Sequence, residues 1–174
     1  MLAMTVPRAT TSVSMAIVTA EGEFLAHYSP NGLAGLRFPG ARPERLPENS
    51  PALSKQIQQW HRLTTTAIRA ILAGRSPEKL PPLDLSCGTK FQQSVWAALR
   101  KIKSGQTQSY GEIAAAIRNP KAVRAVGGAC GANPIPLLVP CHRVLAANQK
   151  LGGFSGGLAW KRRLLAIENI RVTQ

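Results

Sequence analysis

The sequence predicts an α/β chain of the α+β kind: a small β-sheet-plus-helix domain, then a helical domain containing a helix-turn-helix. Three observations predict it. Short apolar runs separated by turn residues fill residues 12–38, helical spacing takes over from residue 52, and capping boxes follow at Thr89 and Ser109. The 174 residues suffice for one ordinary domain or two small ones, and the expected division is residues 1–85 against residues 86–174.

Ser12–Ala20, Phe24–Tyr28 and Leu33–Phe38 read as a β-meander with turns at Glu21-Gly22 and Pro30-Asn31-Gly32. Pro39–Pro51 is Pro-rich and polar and is expected to be a loop. Leu53, Ile57, Trp60, Thr64, Ala67, Ile68 and Ile71 share helical spacing, so Ala52–Ala73 should be a helix stopped by Gly74. Arg75–Gly88 then connects the two domains. Thr89-x-x-Gln92 opens a helix with Phe91, Val95, Leu99 and Ile102 on one face, broken at Ser104–Thr107. Ser109-x-x-Glu112 opens a second helix, Tyr110–Ile117. Asn119 as N-cap and Pro120 as first helical residue are expected to open a third, Pro120–Gly131. Two short helices about a tight turn have the shape of a helix-turn-helix. Leu158–Ile167 is again helical, with Lys161, Arg162 and Arg163 expected on its outer side.

Charge narrows the class. Residues 1–85 carry 9 Lys/Arg against 6 Asp/Glu, a net of +3, whereas residues 86–174 carry 13 against 2, a net of +11. A polyanion, most commonly nucleic acid, is the usual partner of such a bias; a solvated basic face is the alternative. No apolar run approaches the roughly 20 residues that span a bilayer, so no membrane association is expected. Residues 1–14 lack the basic and apolar regions of a signal peptide. Cys87, Cys130 and Cys141 are odd in number and show no CxxC spacing, which favours a reducing compartment over a disulfide framework.

On a helical wheel of residues 120–131, Ala122, Val123, Val126, Ala129 and Cys130 fall inward, while Lys121, Arg124, Gly127, Gly128 and Gly131 fall outward. Each mid-helix glycine costs roughly 0.5–1 kcal/mol relative to Ala, so something must approach this face closely. A DNA minor groove entered by Arg124 is one candidate, and another helix of the same protein is the other.

The chemical signal lies at Asn133–Val144, where an apolar, proline-flanked, strand-like run ends at Pro140 just before Cys141 and His142. A cysteine held beside a histidine is equipment for making a nucleophilic thiolate; a buried inert cysteine is the bland alternative. On an extended segment the two side chains diverge, so contact needs a turn or a bridging water. Glu168 lies one turn below Leu164, so it should face inward, where a carboxylate needs a partner. His142 would serve, giving a relay Glu168–His142–(water)–Cys141; a solvent-facing helix end is the other reading.

Gly88–Glu168 resembles the O6-alkylguanine-DNA alkyltransferases (methylated-DNA–protein-cysteine methyltransferases). The segments that carry the resemblance are GTKFQQSVW, SYGEIAAAI, PKAVRAVGGACGANP, PCHRV and GGFSGGL leading into KRRLLAIE. That is close to half of the chain, and the first half looks like the family's smaller, variable N-terminal domain. The resemblance implies a winged-helix-like form of the helix-turn-helix. It implies that Cys141 is the alkyl acceptor, His142 its water-mediated base, Glu168 the residue orienting that histidine, and Asn133 the link between the helix-turn-helix and the active-site segment. Arg124 would fill the space left by an extruded guanine, and Tyr110 would crowd the target phosphate. Lys121, Gly127, Gly128 and Gly131 would complete the DNA-binding face, and Pro136, Val144, Phe154, Ser155 and Gly156 the substrate pocket.

The implied activity is direct, one-shot transfer of an alkyl group from O6-alkylguanine to Cys141, with O4-alkylthymine a second candidate, after minor-groove binding and nucleotide flipping. The implied partner is double-stranded DNA containing O6-alkylguanine, met by a monomer, with cooperativity on DNA left open. The expected location is cytoplasmic and nucleoid-associated, or nuclear in a eukaryote. No cofactor is expected. No metal is expected either, because residues 1–86 hold no Cys and only His27 and His61, whereas some relatives bind zinc there through Cys and His. The sequence departs from the family pattern at Phe154, where Tyr is usual, at Lys103, where Pro is usual, and at Arg118, where Gly is usual. Two other classes remain on the residues alone: a thiol hydrolase or acyltransferase, which would turn over an activated ester, and a non-catalytic binder of alkylated DNA.

Overall fold

The computed structural model describes residues 12–40 and 54–172. Most of the expected Pro39–Pro51 loop, the start of the expected Ala52–Ala73 helix and nearly all of the stretch read for a signal peptide lie outside the described residues. The first half opens with an antiparallel meander, β1 (Val13–Thr19), β2 (Gly22–Ser29) and β3 (Gly32–Arg37), in the order β1-β2-β3. Alternation along β2 turns Phe24, Ala26 and Tyr28 into the core. At Gly32 the backbone has φ +147°, and any Cβ would overlap the Pro82 carbonyl. The close approach is functional in the ladder: Leu33 N–H donates to Pro82 O at 2.8 Å and Asp84 N–H to Leu33 O at 2.7 Å. The connecting segment thereby docks on β3.

Helix α1 (Lys55–Leu72) starts at Ser54, whose hydroxyl accepts from Ile57 N, and buries Trp60, Thr64, Ala67, Ile68 and Ile71. It stops at Gly74, φ +71°, with Gly74 N–H on Ile71 O and Arg75 N–H on Ala70 O, both at 2.9 Å. These two bonds satisfy carbonyls that a helix end leaves bare.

In the second half both capping boxes form. Thr89 and Gln92 open α2 (Lys90–Leu99), and Ser109 and Glu112 open α3 (Tyr110–Ala116). A two-residue strand, β4 (Gln108–Ser109), pairs in parallel with β5 (Val144–Leu145), tying the start of α3 to the chain just past His142. Helix α4 is shorter than the expected Pro120–Gly131: it spans Val123–Gly131 from Ala122. Asn119 N–H closes α3 by donating to Ala114 O at 2.9 Å, and Asn119 O accepts from Ala122 N–H at 3.0 Å, so Asn119-Pro120 forms a turn ahead of α4. Helix α5 spans Leu158–Ile167.

The run before Cys141 folds differently from the expected strand. Val139 N–H donates to Ile135 O at 2.9 Å and Leu137 has φ +78°, so residues 135–139 make a buried turn. Pro134, Pro136 and Pro140 have no N–H to give a ladder, which explains why no strand forms. One contiguous core joins both halves, running from Phe24, Tyr28 and Leu33 through Trp96, Leu99 and Val126 to Ile135, Val139 and Leu164. The active segment is clamped inside it.

Candidate active site and nucleic-acid face

Cys141 opens a one-turn 3-10 helix, Cys141–Arg143, and is 3% exposed. That turn replaces the extended geometry expected at residues 141 and 142, and among the described residues no hydrogen bond joins their side chains directly. Asn133, at the end of α4, organises the pocket through both ends of its amide. Its Oδ1 accepts from Ile135 N–H at 3.0 Å, and its Nδ2 donates to Val139 O at 2.8 Å and to Cys141 Sγ at 3.1 Å. Burial is the largest influence on the Cys141 thiol and pushes it up to about 11; the Asn133 bond and the Lys161 charge act in the opposite direction. At rest the sulfur is a protonated thiol with a donor already aimed at it.

His142 is fully buried, and its Nε2 lies 3.1 Å from Glu168 Oε1. Burial lowers the ring's affinity for a proton more than the Glu168 contact raises it. With Nε2–H turned to the carboxylate, Nδ1 is left as the basic nitrogen. It has no hydrogen-bond partner among the described residues. Burial favours the neutral acid at Glu168, yet bonds from His142 and Arg143 outweigh it and hold the group down at about 2. The His142 bond is the larger part of that grip, and Arg143 reinforces it. Its Nε and guanidinium nitrogen take both Glu168 oxygens at 2.7–3.1 Å, and its other nitrogen donates to Ile102 O at 2.6 Å. Gly105 N–H adds a bond to Oε2 at 3.2 Å. Glu168 is thus an ionised group locked against His142.

Lys161 corrects the sequence reading. It is fully buried, not on the outer side of α5, and its Nζ donates to Val144 O at 2.7 Å and to Gly152 O at 3.3 Å. These carbonyls precede the loop that flanks the pocket, so the cation fixes the loop's root. Burial lowers the Lys161 pKa, and attraction to Cys141 and Cys130 opposes that. Arg143 and Lys161 carry functions that the sequence reading did not assign to them.

A cleft of about 440 Å³ opens beside the pocket, with Asn133, Pro136, Ser155 and Gly156 in its wall and Phe38 and Gly40 from the first half opposite them. Phe154 lies just behind that wall. Its ring meets Phe38 edge-on at 5.5 Å and His142 at 6.4 Å. Val144 is buried under the loop, and its carbonyl holds Lys161. Tyr110 is half-buried: its ring contacts the Gly127 position, and its hydroxyl lies where any Gly152 side chain would be. Burial raises the Tyr110 pKa, so the phenol stays protonated.

On α4, Val126, Ala129 and Cys130 point inward and Arg124 outward, and Lys121 in the preceding turn is exposed. Val123 departs from the wheel: it is 41% exposed, because α4 begins there and its first turn has not reached the core. A Cβ built on Gly128 or Gly131 would meet nothing within 4 Å, and one on Gly127 only the Tyr110 ring edge at 3.9 Å. Among the described residues no other helix packs against this bare face at Gly128 or Gly131. Among the described residues no group of three His, Cys, Asp or Glu could hold a metal, and no helix is long and apolar enough to cross a membrane.

Residues 90–170 match the model of the 6-O-methylguanine DNA methyltransferase DNA-binding domain. A methylated-DNA–protein-cysteine methyltransferase of Haemophilus influenzae is 58% identical over 83 residues, 48% of this chain and 46% of that protein, so the match spans less than half of that relative. One from Mycobacterium leprae is 46% identical over 127 residues, 73% of this chain and 71% of that protein. The crystal structure of Mycobacterium tuberculosis OGT in complex with DNA is similar with a TM-score of 0.71 at 38% identity, covering 90% of this chain and 91% of that one.

Proposed function

The chain belongs to the methylated-DNA–protein-cysteine methyltransferase family, and from that premise we propose that it repairs O6-alkylguanine in DNA by moving the alkyl group onto its own Cys141. The observation that carries the reading is a buried thiol with a donor on its sulfur, followed at once by a histidine locked onto an ionised glutamate, beside an open cleft.

The chemistry follows from those groups. His142 Nδ1 takes the Cys141 proton through a bridging water, and the imidazolium formed is stabilised by Glu168 across the 3.1 Å contact. The thiolate, held by the Asn133 amide and the Lys161 charge, attacks the alkyl carbon in line with the C–O6 bond. A C–S bond forms, the C–O6 bond breaks, and the electron pair leaves on guanine O6. Phe154 has no hydroxyl to give that oxygen, so Ser155 and backbone N–H groups of the 154–157 loop hold it. A thioether is not a leaving group here, so each molecule reacts once.

Delivery of the base uses the other surface. Double-stranded DNA lies against the bare face of α4, with Gly128 and Gly131 admitting the groove wall, Lys121 at the phosphates and Arg124 replacing the flipped nucleotide in the stack. Tyr110, between that face and the pocket, crowds the target nucleotide into the cleft. The protein works as a monomer in the reducing compartment that holds DNA, and residues 1–85 act as a domain that backs the cleft through Phe38.

Intact-protein mass spectrometry after incubation with a duplex carrying one O6-methylguanine tests the reaction. One added methyl on the Cys141 peptide, absent in Cys141→Ala, is expected. A folded protein that binds the duplex and gains no mass would instead be a damage-recognition protein.

A further inference from the structure

A second basic surface lies away from the bare helix face. A cleft of about 680 Å³ runs between the outer side of α1 and the 75–79 segment, lined by Arg62, Arg69, Arg75 and Lys79. It shares Arg75, Ser76 and Pro77 with a second cleft of about 460 Å³ that continues past Arg100 and Lys103 and ends at the Arg143–Glu168 pair. The six cations named before that pair are all exposed, and among the described residues none is bonded to a carboxylate. Glu78 and Glu168 are the acidic residues of the lining, and Glu168 is consumed by Arg143 and His142.

From this we infer that the continuous crevice is a second nucleic-acid site, taking the phosphate backbone of a single strand separate from the duplex at α4. Arg69 spends one donor on Val18 O at 3.3 Å, but like charges gathered without carboxylate partners favour an external anion, and cations strung along two connected clefts match a linear polyanion better than one small ion. The crevice is concave, whereas a duplex would ride on its rims; a single backbone fits inside. Its floor also offers apolar surface for bases, including Leu63 and the exposed Leu80. The inference does not depend on alkyl transfer, since none of these cations touches Cys141 or the cleft beside it.

The test uses the full chain saturated with an unlabelled duplex, to which a labelled single strand of about 12 nucleotides is added while anisotropy is followed. The wild type should bind the strand with the duplex in place. The triple variant Arg62→Glu, Arg75→Glu, Lys79→Glu should bind it at least tenfold more weakly, and its salt slope should fall by about 2, from three lost phosphate contacts. Its melting temperature and its alkyl transfer from a short duplex should be unchanged. A strand with a neutral methylphosphonate backbone should not bind. Equal strand affinity in variant and wild type, displacement of the strand by the duplex, or equal binding of the neutral strand would each overturn the inference. Absent alkyl transfer with strand binding intact would count against the proposed reaction and leave the crevice standing.

Discussion

The relay behind Cys141 and the glycine face of α4 are built on opposite physical principles. In the relay nearly every polar group is given a fixed partner, with His142 Nδ1 the exception among the described residues: Glu168 has three, Asn133 uses both ends of its amide, and Lys161 reaches three carbonyls. Burial strengthens those contacts and holds each group in one ionisation state until substrate arrives. On α4 the surface is instead kept empty, with space over Gly128 and Gly131 and one projecting arginine nearby. Chemistry needs preorganised charge, whereas delivery of a base from a groove needs room. The two regions should therefore fail in different ways.

The largest effect is expected from Glu168→Gln. The amide can still accept from His142 but removes the negative charge that stabilises the imidazolium. Transfer should slow by about 100-fold on duplex and on free O6-benzylguanine alike, with the rate-versus-pH curve moved to higher pH. An unchanged pH curve would take Glu168 out of the mechanism. The same carboxylate sets acid stability. It ionises at about 2 in the fold and near 4.5 when unfolded, so its contribution is complete above pH 4.5 and fades as pH falls toward 2. The wild type should lose roughly 3 kcal/mol across that window, and the variant should show little such dependence in an acid titration.

Gly128→Leu probes the other region. Among the described residues nothing lies within 4 Å of a Cβ built there, and leucine is the better helix former, so stability should rise by about 0.5–1 kcal/mol. Duplex binding should nevertheless weaken at least tenfold while reaction with the free base is kept. Retained duplex affinity would mean that DNA approaches elsewhere.

The smallest effect belongs to the turn between α3 and α4. Arg118 sits at φ +58° with its N–H on Ala115 O, the closing position of a helix that favours glycine. Arg118→Gly should stabilise the chain by up to about 1 kcal/mol in a thermal melt. Repair should be little affected.

Much of this was legible in the residues. Capping boxes at Thr89 and Ser109, the stop at Gly74 and the span of α5 are local signals, and local hydrogen bonds decide them. The spacing that turns Glu168 toward Leu164 and Leu165 holds also for Lys161, which precedes them by three and four residues. A run of three cations suggests a solvated face, but α5 needs a donor for the Val144 and Gly152 carbonyls, and only tertiary structure displays that need. The turn over residues 135–139 was hidden for a similar reason. Its prolines rule out a ladder, yet the shape taken instead depends on Asn133 bonding across it. Asn119-Pro120 shows the reverse failure: a good local start signal yields only a turn, with Asn119 O accepting from Ala122 N–H, and α4 begins three residues later.

The separation of delivery from chemistry is tested most directly with Arg124→Ala, by measuring single-turnover rates on an O6-methylguanine duplex and on free O6-benzylguanine. Arg124 is exposed on α4 and takes no part in the relay, so the duplex rate should fall at least tenfold while the free-base rate stays within about twofold. Equal losses on both substrates would contradict the account, placing Arg124 in the chemistry and leaving the bare face without its assigned role.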